Sequence, residues 1–496
     1  MVAALVSASP DSVRTAYAQC ATGTHNRDIF APAKQYPLGL APLGIGPHNI
    51  SGDGESTDSV PAPALTRSAH HTSRAGVALV NAHRSVRVAV VGQGFVGLPV
   101  AMLAQRAGHT VIGFDTDPDR VLRLEAADSY IGDVSSERVR EALDSGRYLP
   151  TCDPDDLAEF DIALIAVPTA LFDDQPDLSC IEAASKTLAS YVRRGCTVIL
   201  ESSTYPGTTE EVVQPILQSS GLRAGKDFHL GYSPERVNPG AGLDAIARVP
   251  KVVAGIDPRS LDAVAAFWQG LVDTVVLAPS VRTAEFTKLM ENSFRLMNIS
   301  FVNELARNAA TLGVSIWDAL ALAATKPFGY MAFEPGIGAG GHCLPADAAY
   351  LSWRLRKAGR ESSLIETATR INQEQPAAVA ARILARLRRP GVPERSARVL
   401  VIGVTYKPDI ADVRESSALK VVELLREHGA QVQVMDPYAT HITGVLPNLT
   451  PELLADAAIV ALLVAHRCLD YELIRTARHV FDACAVLPPG PTIERL

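Results

Sequence analysis

The chain contains no uninterrupted apolar run of about 18 residues, so no membrane span is expected. Cysteine is sparse. Cys20, Cys152, Cys180, Cys196, Cys343, Cys468 and Cys484 are odd in number, widely spaced and without a CxxC pair. That argues against a disulfide framework and against a zinc site, and it makes a reducing cytoplasm the default compartment. Positive charge is also short. A formal net charge of −8 argues against a nucleic-acid binder and leaves an anionic ligand to be met by local donors. Met1-Val2-Ala3-Ala4-Leu5-Val6 lacks a basic segment and soon meets Pro10 and Asp11, so it is not read as a secretory signal. No internal repeat is legible.

What is present is a chain of 496 residues, 47% hydrophobic and 20% charged, enough for sizeable cores in roughly three domains at ~150 residues each. Residues 1–83 are rich in Ser, Pro, Gly, Ala, Thr and His without sustained period and read as a disordered N-terminal extension. From Val86 to Val91 a β-branched run suits a buried parallel strand, and strands are expected again at 111–114, 162–167 and 197–200, alternating with helices. From about Arg282 the apolar spacing becomes helical through Gly313, and more helix is expected from Pro345 to about residue 390. A linker is read at Arg389–Glu394, and a second α/β unit opens at 399–404 with its next strand at 431–435. The fold class inferred is α/β: two Rossmann-like, doubly wound domains, at 84–281 and 393–496, joined by a long central helical domain at 282–392.

Gly92-Gln93-Gly94-Phe95-Val96-Gly97 follows the first strand and opens a helix. In such a fingerprint the first glycine permits a tight turn, the second lets backbone approach a pyrophosphate, and the third lets helix meet sheet. The helix N-terminus then faces the phosphates. Asp115 closes the second strand, where a carboxylate accepts from a ribose 2′-hydroxyl and repels a 2′-phosphate. The cofactor is therefore read as NAD, in preference to NADP or FAD.

Gly338-Ala339-Gly340-Gly341-His342-Cys343 sets one thiol in a glycine-rich loop. Glycines beside a thiol make room for a substrate and a flat cofactor ring, whereas the other six cysteines read as structural. A nucleotide cofactor plus an accessible thiol suggests oxidation through a covalent thiohemiacetal. His342 could be the activating base, although sequence neighbours point their side chains apart. Lys288 and Asn292 lie four apart on the expected helix, so both project from one face and could donate to a developing oxyanion. In the loop Tyr232-Ser233-Pro234-Glu235-Arg236-Val237-Asn238-Pro239-Gly240, Glu235 could polarise water or simply pair with Arg236.

These residues resemble the nucleotide-sugar 6-dehydrogenases, the family of UDP-glucose, GDP-mannose and UDP-N-acetylhexosamine dehydrogenases. The resemblance runs from about Val86 to Asp482. It rests on the GxGxxG turn, on Val167-Pro168-Thr169, on Glu201-Ser202-Ser203-Thr204-Tyr205-Pro206-Gly207-Thr208-Thr209, on Ala284–Ala306, on the GGHC loop, and on 407–416 (KPDIADVRES). It implies that Cys343 is the nucleophile, that Lys288 and Asn292 steady the oxyanion, that Asp347 supports the same water and lysine network, and that Glu235 assists thioester hydrolysis. Asp115 and Arg120 would hold the adenosine ribose and pyrophosphate, and Thr169 and Ser203 would line the nicotinamide side. Glu235, Arg236, Lys288, Asn292, Gly340 and Arg414 would meet the nucleotide sugar, Arg414 either within the chain or across a homodimer interface built on the central helix. The implied reaction carries C6 of a hexose from alcohol to uronic acid with two NAD.

The 234–240 loop and the GGHC loop look like the N-acetylhexosamine branch, acting on UDP-N-acetylmannosamine or UDP-N-acetylglucosamine, with UDP-glucose or dTDP-glucose as the alternative. A one-hydride β-hydroxyacid dehydrogenase would need neither Cys343 nor the second α/β unit. A protein that only senses NAD would turn over no sugar nucleotide.

Overall fold

Strand β1 (Arg87–Val91) sends alternate side chains to opposite sides of its sheet, and both sides are buried. Val88 and Val90 join a core with Leu98, Met102 and Trp268, while Ala89 and Val91 join another with Phe160, Ile181 and Phe228. A strand covered on both faces has no polar side to present, which is why its sequence is continuously apolar. The computed structural model describes residues 85–496, save 173–174, 237–239, 342 and 388–397, and of Cys343 its backbone alone. The extension read at 1–83 and the linker read at 389–394 lie outside the described residues.

Strand β1 pairs in parallel with β2 (Thr110–Phe114), which pairs with β3 (Tyr148–Thr151), and on its other side with β4 (Ile162–Ile165). A small antiparallel pair, β5 (Ala170–Phe172) and β6 (Gln175–Asp177), follows. Strands β7 (Thr197–Leu200), β8 (His229–Tyr232), β9 (Lys251–Gly255) and β10 (Val275–Leu277) extend the sheet, giving the order 10-9-8-7-4-1-2-3. Strand β9 runs antiparallel to β8; the other pairings are parallel. Strand order reverses between β1 and β4, and a crevice opens there at the carboxyl ends of the strands. Helix α1 (Gly97–Arg106) starts at that crevice, and α2 (Pro118–Glu125) is capped by Asp117, whose carboxylate accepts from Asp119 N and Arg120 N.

The middle of the chain is built on α3 (Val281–Ala309), capped by the Ser280 hydroxyl and followed by one 3₁₀ turn and a left-handed Gly313. Helices α4 (Ile316–Ala324), α5 (Cys343–Lys357) and α6 (Ser363–Leu387) follow, with α5 and α6 packed on α3. Helix α5 begins at Cys343, earlier than the sequence suggests. Pro345 sits in its first turn, where a missing N–H breaks no helical bond.

The second sheet holds β11 (Arg398–Ile402), β12 (Gln431–Met435), β13 (Val445–Leu446), β14 (Ile459–Leu462), β15 (Val480–Asp482) and β16 (Ile493–Arg495), all parallel, in the order 13-12-11-14-15-16. Helix α7 (Ser417–Glu427) packs against α6. The two sheets share one device that no sequence repeat announces. Gly92 (φ +94°) and Gly403 (φ +84°) each turn after the first strand, and each donates N–H to the end of the second, Phe114 O at 2.8 Å and Met435 O at 2.9 Å. A carboxylate then holds the turn: Asp115 accepts from Gln93 N at 2.8 Å, and Asp436 from Val404 N at 2.6 Å.

Candidate active site

Three glycines of the first turn meet three different constraints. A Cβ on Gly92 would lie 2.5 Å from Ala166 O, and one on Gly97 would lie 1.7 Å from Gly92 O, so protein packing alone demands glycine at both. A Cβ on Gly94 would meet nothing within 4 Å. Gly94 faces a cleft of about 590 Å³ that also takes in Phe95, Val96, Asp115 and Arg120, and with them Glu235, Asp347 and Arg414. Thr169 and Ser203 line its course. The buried Asp115 carboxylate receives Gln93 N and Asp117 N, with Arg120 Nη1 3.4 Å from Oδ2. Open backbone at a helix start, an acid at the tip of β2 and an elongated cleft suit a dinucleotide.

Around Glu235 and Asp347 the cleft is lined by buried charge. Lys288, buried on α3, has its Nζ 3.1 Å from Glu235 Oε2, and both side chains are less than a tenth exposed. One turn on, Asn292 Nδ2 donates to Asp347 Oδ2, so the i, i+4 pair does share one face. Burial pushes the Asp347 carboxyl up to about 6; the Lys288 ammonium and the Asn292 hydrogen bond pull it down, and Glu235 pushes it further up. One side-chain ammonium and one neutral side-chain amide thus stand where negative charge would develop, with two carboxylates able to hold water or protons.

Arg236 does not pair with Glu235. Its guanidinium donates to Glu291 and, at 3.0 Å, to Pro250 O. Consecutive residues of an extended segment point to opposite sides, so Glu235 enters the cleft while Arg236 turns away. The glycines of the 338–341 loop also meet a constraint that the sequence does not suggest. A Cβ on Gly340 would lie 2.5 Å from Glu415 O, and one on Gly341, at φ +83°, 2.8 Å from the Tyr406 ring. The loop is thus pressed against the C-terminal unit. Asn372 of α6 holds it as well, accepting from Ala339 N at 2.6 Å and donating to Ala339 O at 2.9 Å. His342 lies outside the described residues. Arg414 comes from that same C-terminal unit, held by Asp412, and lies 4.8 Å over the Phe95 ring of its own chain.

Four residues of this region escaped the sequence reading. Glu201 is fully buried, paired with Lys251, and lines the cleft. Lys251 lies 4.0 Å over the Trp268 ring. Tyr232 buries a hydroxyl with no hydrogen-bond partner among the described residues. Glu285, one turn before Lys288, accepts from Gly207 N, Thr209 N and Thr209 Oγ1, and burial pushes its carboxyl up to about 7. Only the pairing of β7, β8 and β9 could have found the first three, because it is the sheet that brings 201, 232 and 251 together.

Family comparison bears on most of the described chain. Three models of one family match in order: its NAD binding domain over residues 86–271, its central domain over 282–374 and its UDP binding domain over 400–489. The chain belongs to the UDP-glucose/GDP-mannose dehydrogenase family. Within this dehydrogenase family it is 34% identical over 377 residues to the UDP-N-acetyl-D-mannosamine dehydrogenase of Pyrococcus horikoshii, covering 76% of this chain and 89% of that protein. It is likewise 34% identical over 391 residues to a UDP-N-acetyl-D-glucosamine 6-dehydrogenase of Pseudomonas aeruginosa, covering 77% and 91%. The solved UDP-D-ManNAc dehydrogenase from Pyrococcus horikoshii superimposes with a TM-score of 0.76 at 32% identity, covering 82% of this chain and 98% of that one. The doubly wound N-terminal unit of this dehydrogenase is therefore an NAD binding domain, as the Gly92–Gly97 turn and Asp115 lead one to expect.

Proposed function

We propose that this family member oxidises the C6 hydroxymethyl of a UDP-N-acetylhexosamine, of the mannosamine or glucosamine type, to the carboxylate. The observation that carries the reading is the gathering of Lys288, Asn292, Glu235 and Asp347 at the dinucleotide cleft. The names of the relatives above support the N-acetylated sugar over the UDP-glucose alternative. NAD held in the cleft would supply the hydride acceptor, a fresh molecule for each of the two successive oxidations at C6. The balance is one alcohol, one water and two NAD giving one carboxylate, two NADH and three protons.

Lys288 and Asn292 would donate to the C6 oxygen as it gains charge, first as alkoxide and later as the tetrahedral oxyanion. Cys343 would add to the aldehyde, and the resulting thiohemiacetal would lose the second hydride to become a thioester. Glu235 and Asp347 would hold the water that releases the acid and take up its protons. Asp115 and Arg120 would hold the adenosine ribose and the pyrophosphate, and Arg414 would contribute from the UDP-binding side. Arg236, turned to Glu291, would act on the sugar only by fixing the loop that carries Glu235.

We also propose that two copies pair along α3. Phe286, Met290, Phe294, Phe301 and Leu305 form an exposed apolar stripe on this helix, and Leu312, Leu322 and Phe328 after it are exposed as well. A patch of that extent marks an interaction surface more often than a free one.

The test is a panel of nucleotide sugars with NAD, following NADH and product. A UDP-N-acetylhexosamine should give two NADH per uronate, and Cys343→Ala should yield no uronate at all. One NADH per sugar, or acid production by the variant at the wild-type rate, would remove the covalent scheme.

A further inference from the structure

Glu201 directly follows β7 with its side chain fully buried, and it forms part of the cleft wall beside Ser202 and Ser203. Its two oxygens stand in different surroundings. Oε1 accepts from the Lys251 ammonium, itself held over the Trp268 ring. Oε2 has no hydrogen-bond partner among the described residues. An ionised carboxylate is acceptor-only, and leaving one of its oxygens unpaired in a dry site is costly, so a donor belongs there. Lys251 fixes the carboxylate in place, which leaves Oε2 unable to turn and seek a partner elsewhere.

The donor must come from what occupies the cleft. Asp115 and Arg120 suit ribose and phosphate, whereas Glu201 shares the wall with Glu235 and Asp347, where hydride must leave the substrate. The nicotinamide ring carries one N–H donor group, its carboxamide. We infer that Glu201 Oε2 accepts a hydrogen bond from the carboxamide nitrogen of the bound nicotinamide and so fixes which face of the ring looks toward Lys288 and Asn292. This rests on the cofactor lying with its nicotinamide beside Glu235 and Asp347.

The probe is 3-acetylpyridine adenine dinucleotide, which has a methyl group in place of the carboxamide amine. Dissociation constants for NAD and for this analogue are measured by calorimetry on the full chain without sugar. The wild type should bind NAD at least about tenfold more tightly than the analogue, the ratio expected for losing a hydrogen bond to a charged acceptor. In Glu201→Gln the amide must turn its oxygen to Lys251, a donor only, and so presents N–H to the cleft. NAD should then weaken while the analogue does not, bringing the ratio close to one. A wild-type ratio near one would overturn the inference without any variant. So would a tenfold ratio that survives in a folded Glu201→Gln protein, because another group would then be the acceptor. Failure of the wild type to bind either dinucleotide would overturn the cofactor orientation as well.

Discussion

At Asp347 burial and charge pull against each other, and burial wins: the carboxyl rises from 3.8 to about 6 despite Lys288 and Asn292. The sign follows from linkage. A carboxyl raised in the native state binds its proton more tightly there than in the unfolded chain, so its contribution to stability is present below about pH 4 and lost as pH climbs through about 6. The melting temperature of wild type relative to Asp347→Asn should therefore shift in the variant's favour between pH 4 and pH 7, read by calorimetry. Turnover should run the other way. If ionised Asp347 orients Asn292, the rate falls below about pH 6, and that limb vanishes in Asp347→Asn. The glycines of the dinucleotide turn give a second residue-scale contrast. Gly94→Ala meets open space, so its melting temperature should stay at the wild-type value while NAD binds at least about tenfold more weakly. Gly97→Ala drives a Cβ to 1.7 Å from Gly92 O and should lose ~3 kcal/mol of stability or more, measured by denaturant unfolding.

At the scale of elements, one helix organises the site. On α3, Glu285 holds the 207–209 turn, Lys288 meets Glu235, and Asn292 meets Asp347, three contacts within two turns. A second element is the 338–341 loop, clamped by Asn372 and by the Tyr406 ring. Asn372→Ala leaves both Ala339 backbone groups without that partner, at a cost of about 1–3 kcal/mol. It should lower kcat more than it raises KM for NAD, because the loop leads directly into Cys343 and not into the dinucleotide turn. Steady-state kinetics separates the two; an unchanged kcat would free the thiol's position from this clamp. The second Gly-to-carboxylate turn is spent differently from the first. Asp436 accepts from Val404, Thr405, Tyr438 and Ala439 backbone amides and from His466, so its oxygens are already engaged by the protein.

For the whole molecule, the apolar stripe of α3 sets the expectation. Phe294→Glu places a charge in the middle of that stripe and should weaken self-association by roughly 30-fold, about 2 kcal/mol, seen as a shift toward monomer in sedimentation velocity. Unchanged sedimentation across a wide concentration range would remove the proposed pairing. Much of this architecture is legible in the sequence because it is local: β-branched runs give the buried strands, helical spacing gives α3, and three glycines with an acid at the next strand's tip give the NAD fold. The i, i+4 spacing of Lys288 and Asn292 likewise needs nothing beyond the geometry of one helix. Glu201, Lys251 and Tyr232 could not be read that way, since strand pairing brings them together from positions far apart in the chain. The same holds for Arg236 turning to Glu291 and for Gly340 and Gly341 making room for Tyr406 and Glu415 instead of only for a thiol. Periodicity and turn chemistry are properties of neighbouring residues, so the sequence determined the elements and the cofactor; which buried charges face one another depends on packing between distant segments, and only the tertiary structure decided that.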